Sequence, residues 1–204
     1  MNKRVDYANK ERDYVDLPVL FWIAFYLWIA SEFGIAIRTK KTRKNVSAST
    51  RDKGSLWVIL IGIWVGSFVA FQFHFFHWGW LGSGKVISDI GIILMMFGVF
   101  FRLWAIRTLG RHFNLAVAVD AEQTIVQTGT YKYIRHPSYT GSFFTLLGLG
   151  LALNSWLAVV LLLGIFGITY GYRIRVEEKA LSEHFKNDYD AYKKCTWRIL
   201  PFIW

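Results

Sequence analysis

The stretch YTGSFFTLLGLGLALNSWLAVVLLLGIFGITYGY, from Tyr139 to Tyr172, carries no Asp, Glu, Lys or Arg. An α-helix rises about 1.5 Å per residue, so roughly 20 apolar residues cross about 30 Å of hydrocarbon, and this block is too long for one crossing. Asn154 and Ser155 interrupt it near its middle. The pattern predicts a tight helical hairpin.

Upstream of the hairpin, three further apolar segments have the length of a membrane crossing: Leu17 to Ile37, Leu56 to Phe76 and Val86 to Ile106. The predicted architecture is an all-α polytopic membrane protein with five transmembrane helices, the last two forming the hairpin. The composition agrees, since 54% of the 204 residues are hydrophobic and 18% aromatic. The net charge of +10 would suggest nucleic acid in a soluble protein. Here the Lys and Arg sit in short segments between apolar runs, which points to membrane topology and to no nucleic-acid partner. A single cysteine, Cys195, excludes an intramolecular disulfide and a CxxC site. The first apolar run has no small-residue cleavage site behind it and reads as an uncleaved span.

The loop from Arg38 to Lys53 carries Arg38, Lys40, Lys41, Arg43, Lys44, Arg51 and Lys53, whereas the loop from His77 to Lys85 carries only Lys85. The positive-inside bias therefore predicts a cytoplasmic first loop, with the segment before the hairpin and the C-terminal tail on the same side and the N-terminus outside. Small residues recur at helical spacing in Gly141, Thr145, Gly148 and Ala152, in Gly164, Gly167 and Gly171, and in Gly91, Gly98 and Ala105. Such stripes let helix backbones approach closely in lipid. After Tyr172, Leu181, Phe185, Tyr189 and Tyr192 share a face while Lys179, Lys186, Lys193 and Lys194 lie elsewhere. That pattern predicts a C-terminal amphipathic cytoplasmic helix at the membrane surface.

Charged residues inside spans need partners, so Glu32 and Arg102 are expected to form a buried ion pair bracing the first and third helices. Asp89 is expected to cap the outer end of the third. His74 and His77 stand at the outer interface among aromatic residues with no third ligand in view, and no metal site is assigned to them.

The chemistry concentrates on either side of the hairpin, in YKYIRHPSYTG (Tyr131–Gly141) before it and in RIRVEEKAL and FKNDYDAY after it. A hairpin returns its ends to the same side, so these segments are expected to meet. Pro137 suits the first turn of a helix and leaves backbone N–H groups there for an anion. Taken alone, Arg135 and His136 read equally well as interfacial anchors, and Arg173 and Glu177 as an ordinary i, i+4 pair.

In combination and in this order, these motifs resemble the isoprenylcysteine carboxyl methyltransferase family of membrane enzymes over roughly Gly110 to the C-terminus. The resemblance implies methyl transfer from S-adenosylmethionine to the carboxylate of a lipophilic or prenylated acceptor, the cofactor entering from the cytosol and the acceptor from the bilayer lipids. Carried over by position, cofactor contacts fall on Gln123, Thr124, Ile125, Val126, Tyr131, His136, Pro137, Ser138, Tyr139 and Glu177. Arg173 would hold the acceptor carboxylate, making Arg173 and Glu177 the implied catalytic pair. Residues 1–109 would then hold the first three helices and the basic loop, and residues 110–204 the cofactor-binding catalytic region. The chain departs from the family pattern at Lys186, where glycine is frequent, and around Ala118.

The residues support the same reading independently of the family. A sulfonium zwitterion needs a carboxylate near its amino group, which Glu177 offers. It needs donors near its carboxylate, from the hairpin's start with His136 or Tyr139, and a water-excluding cover, from the amphipathic tail. A phospholipid N-methyltransferase would place a protonated amine beside Arg173, which repels it. Membrane sterol reductases using NADPH carry a similar segment resembling RHPNYxG, whereas this chain reads RHPSYTGS. A noncatalytic carrier would show charges near the midplane, and the hairpin has none.

Overall fold

The computed structural model describes residues 17–42, 54–82, 85–110, 113 and 124–201. The helices are α1 (Val19–Thr42), α2 (Ser55–Phe75), α3 (Lys85–Leu109), α4 (Pro137–Ala152), α5 (Trp156–Phe185) and α6 (Asn187–Lys194), with a 3-10 turn at Gly129–Lys132. Among the described residues there is no sheet, and the predicted all-α class holds. Gln123 and Ala118 lie outside the described residues.

Four helices, α1, α2, α3 and α5, are long and apolar enough to cross a membrane, with mean hydropathy between 1.8 and 2.1. The fifth expected span, α4, has 16 residues, about 24 Å of helix, and does not reach that length. Most of its surface is buried, because α3 and α5 flank it. The hairpin itself forms as expected. Asn154 takes φ +53°, which Asn tolerates better than most residues, and its Nδ2 donates to the Gly82 carbonyl at 2.7 Å. Ser155 caps α5, its Oγ accepting from the Ala158 N–H at 3.2 Å and donating to the Trp78 carbonyl at 2.6 Å.

Small residues bring α3 and α4 into backbone contact. A Cβ at Gly98 would strike the Thr145 backbone N and the Gly141 carbonyl, and one at Gly148 would strike the Met95 backbone N and the Gly91 carbonyl. The stripe on α5 behaves differently. A Cβ added at Gly164, Gly167 or Gly171 would meet nothing within 4 Å, since α5 meets α2 through Leu162, Ile165 and Thr169. At that crossing the small residues are Gly62 and Gly66 on α2.

The Glu32–Arg102 pair forms as expected, Arg102 Nε lying 2.9 Å from Glu32 Oε1 and Nη2 donating to Oε2 at 3.2 Å. Asp89 is not a cap, because α3 already begins at Lys85. His74 Nδ1 donates to the Leu153 carbonyl at 2.8 Å and so ties the end of α2 to the hairpin turn.

The amphipathic tail is not one helix. Arg173 to Phe185 hold good helix formers and no breaker, so α5 runs through Tyr172 without interruption. The break comes at Lys186, with φ +49°, after which α6 restarts with Asp188 and Asp190 in its first turn and Lys193 and Lys194 in its last. That arrangement complements the helix dipole.

Candidate active site

The start of α4 is fixed by residues far along the chain. Pro137 opens the helix after a non-helical His136 (φ −122°, ψ 57°). The segment Tyr133–His136 pairs in parallel with Trp197–Arg198: Trp197 N–H donates to the Tyr133 carbonyl (2.9 Å), Arg135 N–H to the Trp197 carbonyl (2.7 Å) and His136 N–H to the Arg198 carbonyl (3.0 Å). Thr140 Oγ1 extends the strap by donating to the Ile199 carbonyl at 2.6 Å. The N–H groups of Tyr139 and Thr140 bond the His136 carbonyl. Two of the main-chain donors at this helix start are thus engaged.

Arg135 is not an exposed interfacial anchor. Its side chain is 9% exposed and pairs with Glu178 Oε1 at 3.1 Å. It also donates to the carbonyls of Lys193 and Thr196 and to Thr196 Oγ1. Arg198 holds the other edge of Glu178, its Nη2 3.0 Å from Oε2. Three separate segments therefore meet on one carboxylate. The His136 ring stacks on Tyr139, with centroids 5.4 Å apart and planes 5° off parallel. Its nitrogens lie 3.7 Å from Glu177 Oε2 and 3.5 Å from Glu178 Oε1.

Tyr139 links the two ends of the hairpin. Its hydroxyl donates to Glu177 Oε2 at 2.7 Å and accepts from Arg173 Nε at 3.3 Å. Arg173 Nη1 in turn donates to Ser55 Oγ at 2.8 Å. Ser55, the first residue of α2, is wholly buried, and Arg173 is 3% exposed. The convergence expected from the sequence is therefore present, with α2 as an additional participant.

Arg135, His136, Tyr139, Arg173 and Glu177 border one cavity of about 460 Å³. Of the residues singled out in the sequence, Thr124, Ile125, Val126, Tyr131, His136, Ser138, Tyr139, Arg173 and Glu177 line it; Pro137 does not. Leu181, Phe185, Tyr189 and Tyr192 form a further wall, so the apolar face of the tail turns onto the cavity. Glu32, Ser67 and Arg102 also reach it, and most of the remaining wall is apolar: Phe25, Trp28 and Ile29 of α1, and Ile59, Leu60, Ile63 and Trp64 of α2 among others. On α2 the lining runs from Leu56 to Ser67, roughly 16 Å along the helix.

Burial raises the hydroxyl pKa of Tyr131 and of Tyr189, with nearby acidic residues adding to the effect. Burial likewise pushes Tyr192 up to about 12, although the Arg135 charge opposes it. All three stay protonated donors near neutral pH. Tyr192 donates to the Tyr131 carbonyl at 2.6 Å. Tyr189 Oη and His136 Nε2 are buried without a hydrogen-bond partner among the described residues, an arrangement that a polar ligand would satisfy.

Sequence reasoning expected the amphipathic tail to cover the site but did not single out Tyr189 and Tyr192 as its contacts, though the spacing F-x-x-x-Y-x-x-Y carried the signal. It also missed Ser55, for which no local signal exists.

A model of the isoprenylcysteine carboxyl methyltransferase (ICMT) family matches residues 91–183. The chain is 35% identical over 121 residues to a protein-S-isoprenylcysteine O-methyltransferase of Saccharomyces cerevisiae, covering 58% of this chain and 51% of that one. It is 30% identical over 182 residues to the protein of that name from Dictyostelium discoideum, covering 87% and 71%. A solved structure of the eukaryotic intramembrane Ras methyltransferase ICMT superposes with a TM-score of 0.60 at 29% identity, over 68% of this chain and 50% of that one. The chain spans about half the length of the yeast relative and of the solved chain. The order of the motifs, the helical architecture and these similarities agree: the chain belongs to the isoprenylcysteine carboxyl methyltransferase family.

Proposed function

We propose that this protein transfers a methyl group from S-adenosylmethionine to the carboxylate of a lipophilic, isoprenylcysteine-like acceptor. The observation that carries the reading is the single cavity, in which Glu177, His136 and Tyr139 share walls with an apolar groove between α1 and α2. The family favours this reading over sterol reduction and phospholipid N-methylation.

When bound, the cofactor supplies an electrophilic methyl group on a sulfonium. Glu177, oriented by Tyr139, would hold its amino group. His136 Nε2 and Tyr189 Oη, which make no hydrogen bond among the described residues, would serve its carboxylate or sugar. Thr124, Ile125 and Val126 would form a further wall with Tyr131, and Gln123 stays a contact implied by the family alone. Pro137 and Ser138 set the backbone that carries His136 and Tyr139, so they shape the pocket. Residues 110–204 would thus supply the cofactor half, and residues 1–109 the greater part of the acceptor half.

Arg173 would neutralise and aim the acceptor carboxylate, with Ser55 and Tyr139 holding the guanidinium in one orientation. A carboxylate is already ionised near neutral pH, so no general base is required. Alignment of the reactants and exclusion of water would then carry the rate. The apolar stretch along α2 suits a prenyl chain arriving from the surrounding lipid. We further place the site and the tail on the cytoplasmic side, with five passes, α4 making its crossing inside the shelter of α3 and α5.

Calorimetric titration of the purified protein tests this. S-adenosylmethionine is expected to bind saturably, with Glu177→Ala and His136→Ala weakening it at least tenfold, while Arg173→Ala leaves cofactor binding intact and abolishes turnover. No heat with S-adenosylmethionine and saturation by NADPH would overturn the reading in favour of a reductase.

A further inference from the structure

A second cavity, of about 450 Å³, lies at the opposite end of the bundle from the candidate active site and borders Leu153 and Asn154 of the hairpin turn. His136 and Tyr139 stand at the start of α4, so the 16 residues of that helix set the two cavities about 24 Å apart. Aromatic side chains make most of the remaining wall: Trp22 of α1, Phe73 and Phe75 of α2, and Trp78 and Trp80 in the turn that follows. His74 and His77 also reach it, whereas no Asp, Glu, Lys or Arg does among the described residues. The wall is preformed. Trp156 N–H donates to the Gly79 carbonyl at 2.8 Å and Leu81 N–H to the Asn154 carbonyl at 3.2 Å, which laces the Trp78–Trp80 turn to the hairpin.

Asn154 is 2% exposed. Its Nδ2 is engaged by the Gly82 carbonyl, while its Oδ1 is buried without a hydrogen-bond partner among the described residues. Leaving such an acceptor unmet is costly, and a donor brought into the cavity would relieve it. Interfacial aromatics often serve only as bilayer anchors, but an anchor requires neither an enclosed cavity nor an unmet amide oxygen. Two demands thus fall on an occupant: aromatic faces attract a cation, and the amide oxygen requires an N–H or O–H.

We propose that this cavity binds the primary ammonium of a phosphoethanolamine headgroup, which lies against the aromatic walls and donates to Asn154 Oδ1. Among common headgroups, choline brings a cation without an N–H, glycerol brings O–H groups without a cation, and ethanolamine meets both demands. A lipid seated here is at the wrong end of α4 to meet Glu177, so it is a structural ligand and not a methyl acceptor. The proposal is independent of the methyl-transfer reading.

Native mass spectrometry of the full chain in detergent, titrated with dioleoyl lipids, tests this. Phosphatidylethanolamine is expected to bind as one molecule per chain, about fivefold more tightly than phosphatidylcholine or phosphatidylglycerol. Trp80, 41% exposed, is the mildest place to remove a ring face, and Trp80→Leu is expected to cut that preference about threefold. Trp22→Leu serves the same purpose from α1 should the first variant fail to fold. Equal affinity for the three lipids, or a preference that survives loss of either ring, would overturn the proposal. Glycerophosphoethanolamine, the same headgroup without acyl chains, separates the sources. Binding much weaker than the lipid's assigns the ammonium to the bilayer, and equal binding assigns it to a soluble ester. Binding of neither overturns the site.

Discussion

Lys186 holds φ +49° and ψ −121° between α5 and α6, a backbone state that glycine enters freely and L residues enter under strain. Strain of this kind amounts to about 1–3 kcal/mol, while glycine's extra freedom in the unfolded chain returns roughly 0.5–1 kcal/mol. Relief of strain is the larger effect, and Lys186→Gly is expected to raise stability by about 1 kcal/mol, seen as a higher thermal midpoint in detergent. Tyr192 yields a pH dependence. Its hydroxyl pKa is raised by burial from 10.0 to about 12, so the protonated form is favoured in the folded state. Its contribution is whole below pH 10 and is lost as pH rises through 12. Tyr192→Phe is expected to lose about 1 kcal/mol at neutral pH and to show a shallower stability loss between pH 10 and 12. At this scale the sequence was legible where a charge lay inside a span. Glu32 and Arg102 had to find partners in lipid, and they found each other. The link from Arg173 to Ser55 was not legible, because a hydroxyl at the start of a distant helix looks like any other.

Helix–helix contact divides the small-residue stripes into two kinds. Gly98 and Gly148 admit the backbone of the facing helix, so Gly98→Ala would force α3 and α4 apart. Overpacking of this kind ordinarily loses about 1–3 kcal/mol, and backbone atoms yield less than side chains, so a loss of at least about 2 kcal/mol in chemical denaturation is expected. Gly164→Ala is the contrast: with open space around it, the same assay is expected to show no loss. The stripes were visible in the sequence at helical spacing, but spacing does not say which helix a stripe meets. The tail shows the same limit. Leu181, Phe185, Tyr189 and Tyr192 share a face as the periodicity required, and of the two roles expected for that face, covering the site and lying on the membrane surface, it takes the first by walling the cavity. The left-handed turn at Lys186 re-aims α6, and nothing short of three-dimensional packing announces it.

Across the whole molecule, α1 and α2 supply the apolar groove, and α4, α5 and the strap supply the polar groups. Composition and charge bias were enough to predict a helical membrane protein and the meeting of the hairpin's two ends, because a hairpin leaves its ends little choice. The groove between α1 and α2 escaped prediction, since apolar residues facing a cavity and those facing lipid read alike. The proposed sidedness is open to a direct measurement. Cys195 is the chain's one cysteine and is exposed. In sealed vesicles of known orientation, a membrane-impermeant maleimide is expected to label it only from the cytoplasmic face; labelling from the opposite face alone would invert the topology.

The strap also dictates an order of events during translation. Residues 133–136 leave the peptidyl-transferase centre about 60 residues before 197–198, an interval of roughly 3–12 s at 5–20 residues per second. Until the later residues emerge, the nascent helical pair has no partner for the amides of Arg135 and His136. The strap that fixes the start of α4 is therefore among the last parts of the pocket to be completed.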